Sequence, residues 1–114
     1  MISIGTDILE IERIEQTLAR LGDRFVKRIL TTAEQLEYHA SSNGARLLAK
    51  RFAGKEAVAK ALGTGIGRGV SWQDIQINHD PAGAPLVHLT GGADTVARSR
   101  GGKKVLLSLS DEQR

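Results

Sequence analysis

Glu56 and Lys60 stand four residues apart in RLLAKRFAGKEAVAKALG, residues 46–63, where apolar side chains recur at helical spacing. On an ideal helix Ala49, Ala53, Glu56, Ala57 and Lys60 share one side, away from the large apolar residues. Small side chains around a Glu and a Lys let a ligand or another backbone approach closely. The plainer reading is a surface pair in the favourable Glu-before-Lys order, contributing about 0.2–0.5 kcal/mol. Taken alone, the spacing favours that reading. Asp7 follows Gly5 and precedes a helical run, so Thr6 or Asp7 can simply cap that helix. A carboxylate there can also meet one from another helix. Two carboxylates with phosphate oxygens and waters make a typical magnesium site, because the hard ion prefers oxygen and keeps several waters. Lys60 would then neutralise a phosphate outside the metal's own shell.

Other motifs exclude more than they supply. GTGIGRG, residues 63–69, matches neither a P-loop nor a dinucleotide fingerprint, although Gly65 and Gly67 can admit close ligand contact or merely shape a turn. No HExxH or GxSxG is present, and His39, His79 and His88 are scattered, so a zinc site has little support. The absence of cysteine excludes disulfides, thiolate metal sites and a cysteine nucleophile.

The elements that must position these groups follow from periodicity. Ile2 and Ile4 alternate like a short strand, and Gly5-Thr6-Asp7 breaks it. From Leu9, the residues Ile11, Ile14, Leu18 and Leu21 predict a helix that stops at Gly22. Phe25, Val26, Ile29 and Leu30 predict a short helical or turn segment. Thr31 or Thr32 can cap a helix over 33–39, with Glu34 bonding back. After the loop 41–44 comes the 46–63 helix, with Leu48, Phe52, Ala59 and Leu62 on one side. Val70, Trp72, Ile75 and Ile77 read as irregular extended chain, residues 78–85 as a turn and 86–89 as a strand. A short helix over 91–100 and a strand over 105–109 complete the pattern. The order favours an α+β domain over a doubly wound sheet.

With 114 residues the chain suits one domain, and 40% hydrophobic with 25% charged residues is ordinary for a globular protein. Two Phe, one Trp and one Tyr leave the core to aliphatic residues. Asp7, Glu10 and Glu12 sit where a signal peptide needs a basic start, and no stretch approaches the roughly 20 apolar residues of a membrane span. A cytoplasmic location is expected. Net charge is only +3, but Arg20, Arg24, Lys27, Arg28, Arg46, Lys50 and Arg51 crowd the first half. Such crowding suits an acidic protein, a phosphorylated ligand or nucleic acid, while any single one of these residues is more simply a solvated surface charge.

Several segments resemble the holo-acyl-carrier-protein synthases: IGTDILEIERI at 4–14, RFVKRILTTAE at 24–34 and LLAKRFAGKEAVAKALGTGIGRGVSWQDI at 47–75. NHDPAGAP at 78–85 is similar to that family's polar turn, and VLLSLSDEQR at 105–114 to its penultimate strand and turn. The resemblance runs in order along nearly the whole chain, and its central segment is the most specific part. It implies an α+β phosphopantetheinyl transferase fold, with a small antiparallel sheet packed against helices. It also implies transfer of the 4'-phosphopantetheine arm of coenzyme A to a serine of acyl carrier protein, releasing adenosine 3',5'-bisphosphate.

By the same resemblance Asp7 and Glu56 are magnesium ligands, Lys60 lies near the coenzyme A phosphates, and Gly63, Thr64, Gly65, Ile66 and Gly67 border the adenine and ribose phosphate. Arg13 faces the carrier's acidic helix, with Arg20, Arg24 and Arg28 extending that surface. The base that takes the serine proton stays open between water and a carboxylate. Where many relatives have a histidine, this chain has Asp111. Family members continue with a further strand and form homotrimers with active sites between subunits. A chain ending at Arg114 is therefore expected to leave the 105–109 edge unpaired and to be less stable. Rival readings are an inactive carrier-protein binding module and, less favoured because aromatic residues are few, a small nucleic-acid-binding protein. Neither a nucleic acid nor a membrane is an expected partner.

Overall fold

The computed structural model describes the backbone of residues 4–100 and the side chains from Glu10 onward. Five helices, α1 (Ile4–Leu21), α2 (Asp23–Ile29), α3 (Thr32–Ala40), α4 (Gly44–Ala61) and α5 (Gly91–Ser99), accompany a two-stranded sheet, β1 (Ile75–His79) and β2 (Pro85–Leu89). A single 3-10 turn over Trp72–Asp74 leads into β1. The strands are antiparallel, with Ile75 opposite Leu89 and Ile77 opposite Val87. Ile75 and Ile77 are buried while Gln76 and Asn78 are less so, the alternation of a sheet with one face on the core.

Most helix boundaries follow the sequence signals. Gly22 ends α1, and Thr31 and Glu34 form a reciprocal capping box: the Thr31 amide donates to Glu34 Oε1 at 2.8 Å and the Glu34 amide to Thr31 Oγ1 at 3.3 Å. The start of α1 corrects the reading of a strand broken at Gly5-Thr6-Asp7, because the helix already includes Ile4 and these three residues. Ile11, Ile14 and Leu18 hold one helical stripe, which outruns an alternation of two isoleucines. An Asp in a first helical turn is also electrostatically favourable. The predicted strand over 105–109, like residues 1–3, lies outside the described residues.

α4 serves two apolar clusters. Its first half contributes Leu48 and Ala49 to a cluster with Ile14, Phe25, Val26, Ile29 and Leu30. Its second half contributes Val58, Ala59 and Leu62 to another with Val70, Ile75, Ile77, Ala93 and Ala97. Gly54 falls between the two halves, where a Cβ would lie 2.7 Å from Ile77 Cδ1 and would have to displace the tip of that side chain.

Lys55 also falls between them, and it is fully buried with Glu34 as its partner: Nζ to Oε1 is 2.6 Å and neither side chain is exposed. The ammonium donates in addition to the carbonyls of Ile29 at 2.6 Å and Trp72 at 3.0 Å. Glu34 Oε2 accepts the Ile77 amide at 2.9 Å. Burial pushes the Lys55 pKa down and the Glu34 carboxylate opposes that shift, which is why the pair must stay intact to remain charged. Lys55→Met should lower unfolding free energy by about 3–5 kcal/mol, because it strands a buried carboxylate and two carbonyls. Urea unfolding measures this, and a loss below about 1 kcal/mol would show that the pair contributes little to folding.

Candidate functional site

The apolar contacts of Ile14 with the α4 side of the first cluster lay α1 against α4. Glu56, one residue beyond the inward Lys55, therefore turns outward along the groove between the two helices. The surface pair that its spacing permits with Lys60 is not formed: among the described residues neither takes part in an ion pair. Glu56 instead feels α1. Partial burial is the main cause raising its pKa, the nearby Glu10 carboxylate raises it further, and Arg13 pulls it down.

Arg13 supplies the positive charge that acts on both acids. Its guanidinium pairs with Glu10 and lies 5.3 Å from the centroid of the Phe52 ring. The Glu10 hydrogen bond is the leading cause holding the Arg13 pKa above its ordinary value; desolvation opposes it, and the charges of Glu10 and Glu56 add to it. Phe52 stacks in turn on Trp72, with centroids 4.7 Å apart and planes 26° from parallel. Ala49 is buried beneath this face and Ala53 is exposed, so the small residues read from the sequence do line the helix beside Glu56.

Asp7 lies in the first turns of α1, three residues before Glu10, and its side chain is outside the described residues. Among the described residues no group of three His, Asp or Glu side chains gathers as a ready metal cage. What is present is a carboxylate made costly by burial and by a second carboxylate, with one Arg to offset both. A divalent cation on oxygen ligands fits that arrangement.

Lys60 is exposed in the last turn of α4. Beyond it the chain reverses through Gly63, at φ 82°, whose amide donates to the Lys60 carbonyl at 2.9 Å. The amides of Thr64 and Gly65 both donate to the Ala59 carbonyl, at 3.3 and 3.1 Å, and Thr64 Oγ1 donates to the Gly65 carbonyl. The left-handed backbone at Gly63 favours glycine, and a Cβ would have to push aside the Arg100 guanidinium, 2.7 Å away. Ile66 and Gly67, with residues 70–73 and Arg28 of α2, line an open groove of about 390 Å3. The structure thus joins Arg28 to the glycine loop and Arg13 to Glu56, while Arg20 and Arg24 are simply exposed on α1 and α2.

Two expectations change here. Arg51 is not a surface charge: it is buried, 3.2 Å from Glu37 and 3.4 Å from His79 Nδ1, which must accept because a guanidinium only donates. His79 accordingly belongs to the end of β1 and not to a free turn. Lys55 was missed altogether, although it stands seven residues from both Leu48 and Leu62, in the middle of the apolar stripe.

The model of the 4'-phosphopantetheinyl transferase superfamily matches residues 3–110. Among curated relatives, holo-[acyl-carrier-protein] synthase of Shewanella denitrificans is 56% identical over 99% of this chain and 90% of its own length. The crystal structure of holo-[acyl-carrier-protein] synthase from Neisseria meningitidis superposes with a TM-score of 0.74 at 40% identity, covering 80% of this chain and 73% of that one. A holo-(acyl-carrier-protein) synthase from Bacillus anthracis, solved in complex with CoA (3',5'-ADP), gives 0.62 at 40% identity over 70% and 68% of the two chains.

Because the folded state holds the Glu56 pKa above its unfolded value, the neutral carboxyl is the form that folding favours. That stability is present below the ordinary carboxylate range and is lost as pH rises through the raised value. Wild type should therefore fall progressively below Glu56→Gln in melting temperature as pH rises above the ordinary carboxylate range, about pH 4. A gap that stays constant with pH would contradict the assignment.

Proposed function

The chain belongs to the 4'-phosphopantetheinyl transferase superfamily, and on that premise we propose that it moves the 4'-phosphopantetheine arm of coenzyme A onto a serine of acyl carrier protein. The products are holo-acyl carrier protein and adenosine 3',5'-bisphosphate. The supporting observation within the fold is Glu56: an outward carboxylate whose pKa is raised by partial burial and by Glu10, left unpaired by Lys60 and attended by Arg13. A structural surface pair would look different. The likeness to a named synthase over nearly the full chain, and to one solved in complex with CoA (3',5'-ADP) over 70% of it, supports the reaction.

In this reading Asp7 and Glu56 would hold magnesium. Bound there, the ion supplies charge neutralisation at the pyrophosphate oxygens. The chain's own groups do the remaining work. Lys60 places a cation beside the phosphates, where negative charge grows as the leaving group departs. Residues 63–67 offer a side-chain-poor surface to the nucleotide end. The carrier's serine oxygen attacks the β-phosphorus, and the P–O bond toward the α-phosphate breaks. The serine proton leaves to a base, and the bisphosphate carries away the electron pair. Arg13, Arg20, Arg24 and Arg28, all exposed, would face the acidic carrier, and steering by them would be weakened by salt.

We further assign the protein to the cytoplasm, to the priming of carriers for fatty acid synthesis, and to a homotrimer with sites between subunits. The helices among the described residues are none of them long and apolar enough to cross a membrane. Incubating the protein with acyl carrier protein, coenzyme A and magnesium should add one phosphopantetheine arm to the carrier by intact mass, and Glu56→Ala should abolish the gain. No gain from folded wild-type protein would overturn the transfer reading in favour of a non-catalytic carrier-binding module.

A further inference from the structure

The exposed Arg13 guanidinium is fixed from two sides that differ in kind. Glu10 holds it by an exposed i,i+3 ion pair, a type of contact that is by itself weak. The other side is the face of Phe52, 5.3 Å away. That ring is not free to tilt. Trp72 stacks behind it at 4.7 Å, Phe25 meets it at 6.4 Å with planes 48° apart, and the Trp72 carbonyl is tied to the buried Lys55 ammonium at 3.0 Å. The Arg13 side chain is 58% exposed, so without the ring it would sample many rotamers in water.

We propose that Phe52 is a positioning residue for Arg13, presenting the guanidinium, already ordered, to the acidic partner. An aromatic face attracts a cation through its quadrupole and accepts a planar guanidinium lying along it. The edges and outer N–H groups then remain available for a carboxylate. Ordering this long side chain before association removes a cost that binding would otherwise bear. The role in carrier recognition rests on the transfer reading above; the placement of Arg13 by the ring does not.

The test uses Phe52→Leu, which keeps apolar bulk but removes the face, and Phe52→Tyr, which restores it. The Arg13 Nε–H resonance, assigned by its loss in Arg13→Ala, should be shifted upfield by the ring in wild type and Phe52→Tyr. In Phe52→Leu it should return toward the position of a solvated arginine. In the transfer assay Phe52→Leu should raise KM for acyl carrier protein about two- to fivefold, the size expected of an exposed cation–π contact. Turnover at saturating carrier and KM for coenzyme A should hold, and Phe52→Tyr should recover the wild-type KM. Combined with Arg13→Ala, Phe52→Leu should add nothing further. An unchanged Nε–H resonance in Phe52→Leu would overturn the placement. An equal rise in KM with and without Arg13 would overturn the positioning role and make Phe52 a direct or purely structural contact. If wild-type protein modifies no carrier, the carrier role falls with the transfer reading, while the resonance still decides whether the ring places Arg13.

Discussion

Everything in the described fold turns on one buried ammonium. Lys55 has three donors and three acceptors: the Ile29 carbonyl, Glu34 Oε1 and the Trp72 carbonyl. These come from the end of α2, the start of α3 and the 3-10 turn before β1. Glu34 then carries the connection on, capping its own helix through Thr31 and taking the first amide beyond Gln76 in β1. An apolar residue could fill the same volume but could not satisfy three chain segments at once. Desolvating two charges is expensive, so such a pair is poor grounds for expecting high stability. Its value here is geometric: it fixes which segments meet and in what orientation around α4.

That orientation decides the site. With Lys55 pointing inward, the next residue is turned about 100° around the helix and emerges at the α1 side. Phe52, Glu56 and Lys60 follow one another at four-residue intervals and so form a single outer stripe. Lys55 also holds the Trp72 backbone, which places the indole against Phe52. The same anchor thus sets the carboxylate and the aromatic platform under Arg13. Core and site are neighbouring residues on one helix.

This explains which features were legible in the sequence. Gly22, the Thr31–Glu34 box and Gly63 act over a single turn, and each stopped or started a helix where the local pattern said it would. The start of α1 was misread because two alternating isoleucines are too short a signal to compete with a stripe running through Leu18. Lys55 could not be placed from local rules, since lysine is normally exposed and its carbonyl partners lie 26 and 17 residues away. Glu56 was visible as a candidate, yet the charges of Glu10 and Arg13 that act on it come from α1 packed on α4, which no spacing rule contains. Arg51 failed in the same way: its burial depends on α3 and β1 closing over it.

The acidic pair across α1 and α4 makes sense only as a feature maintained by this rigidity. Partial burial and the Glu10 carboxylate raise the cost of charge on Glu56, and Arg13 offsets part of it. On a loose scaffold the two carboxylates would drift apart and the repulsion would vanish. Here Ile14, Leu48 and Ala49 are locked in the core between them, so the helices cannot separate without opening apolar surface. The glycine loop is confined in a comparable way. A Cβ on Gly92 would run into the Gly69 carbonyl oxygen, so the start of α5 packs closely on the end of the loop. On the proposed reading, charge that is unfavourable in the free protein and held where it cannot relax would be stabilised by a bound cation, and by linkage that cation would stabilise the fold as well. The packed helices and the braced loop would then serve the chemistry as much as the carboxylates do, because without them the two acids would be free to separate.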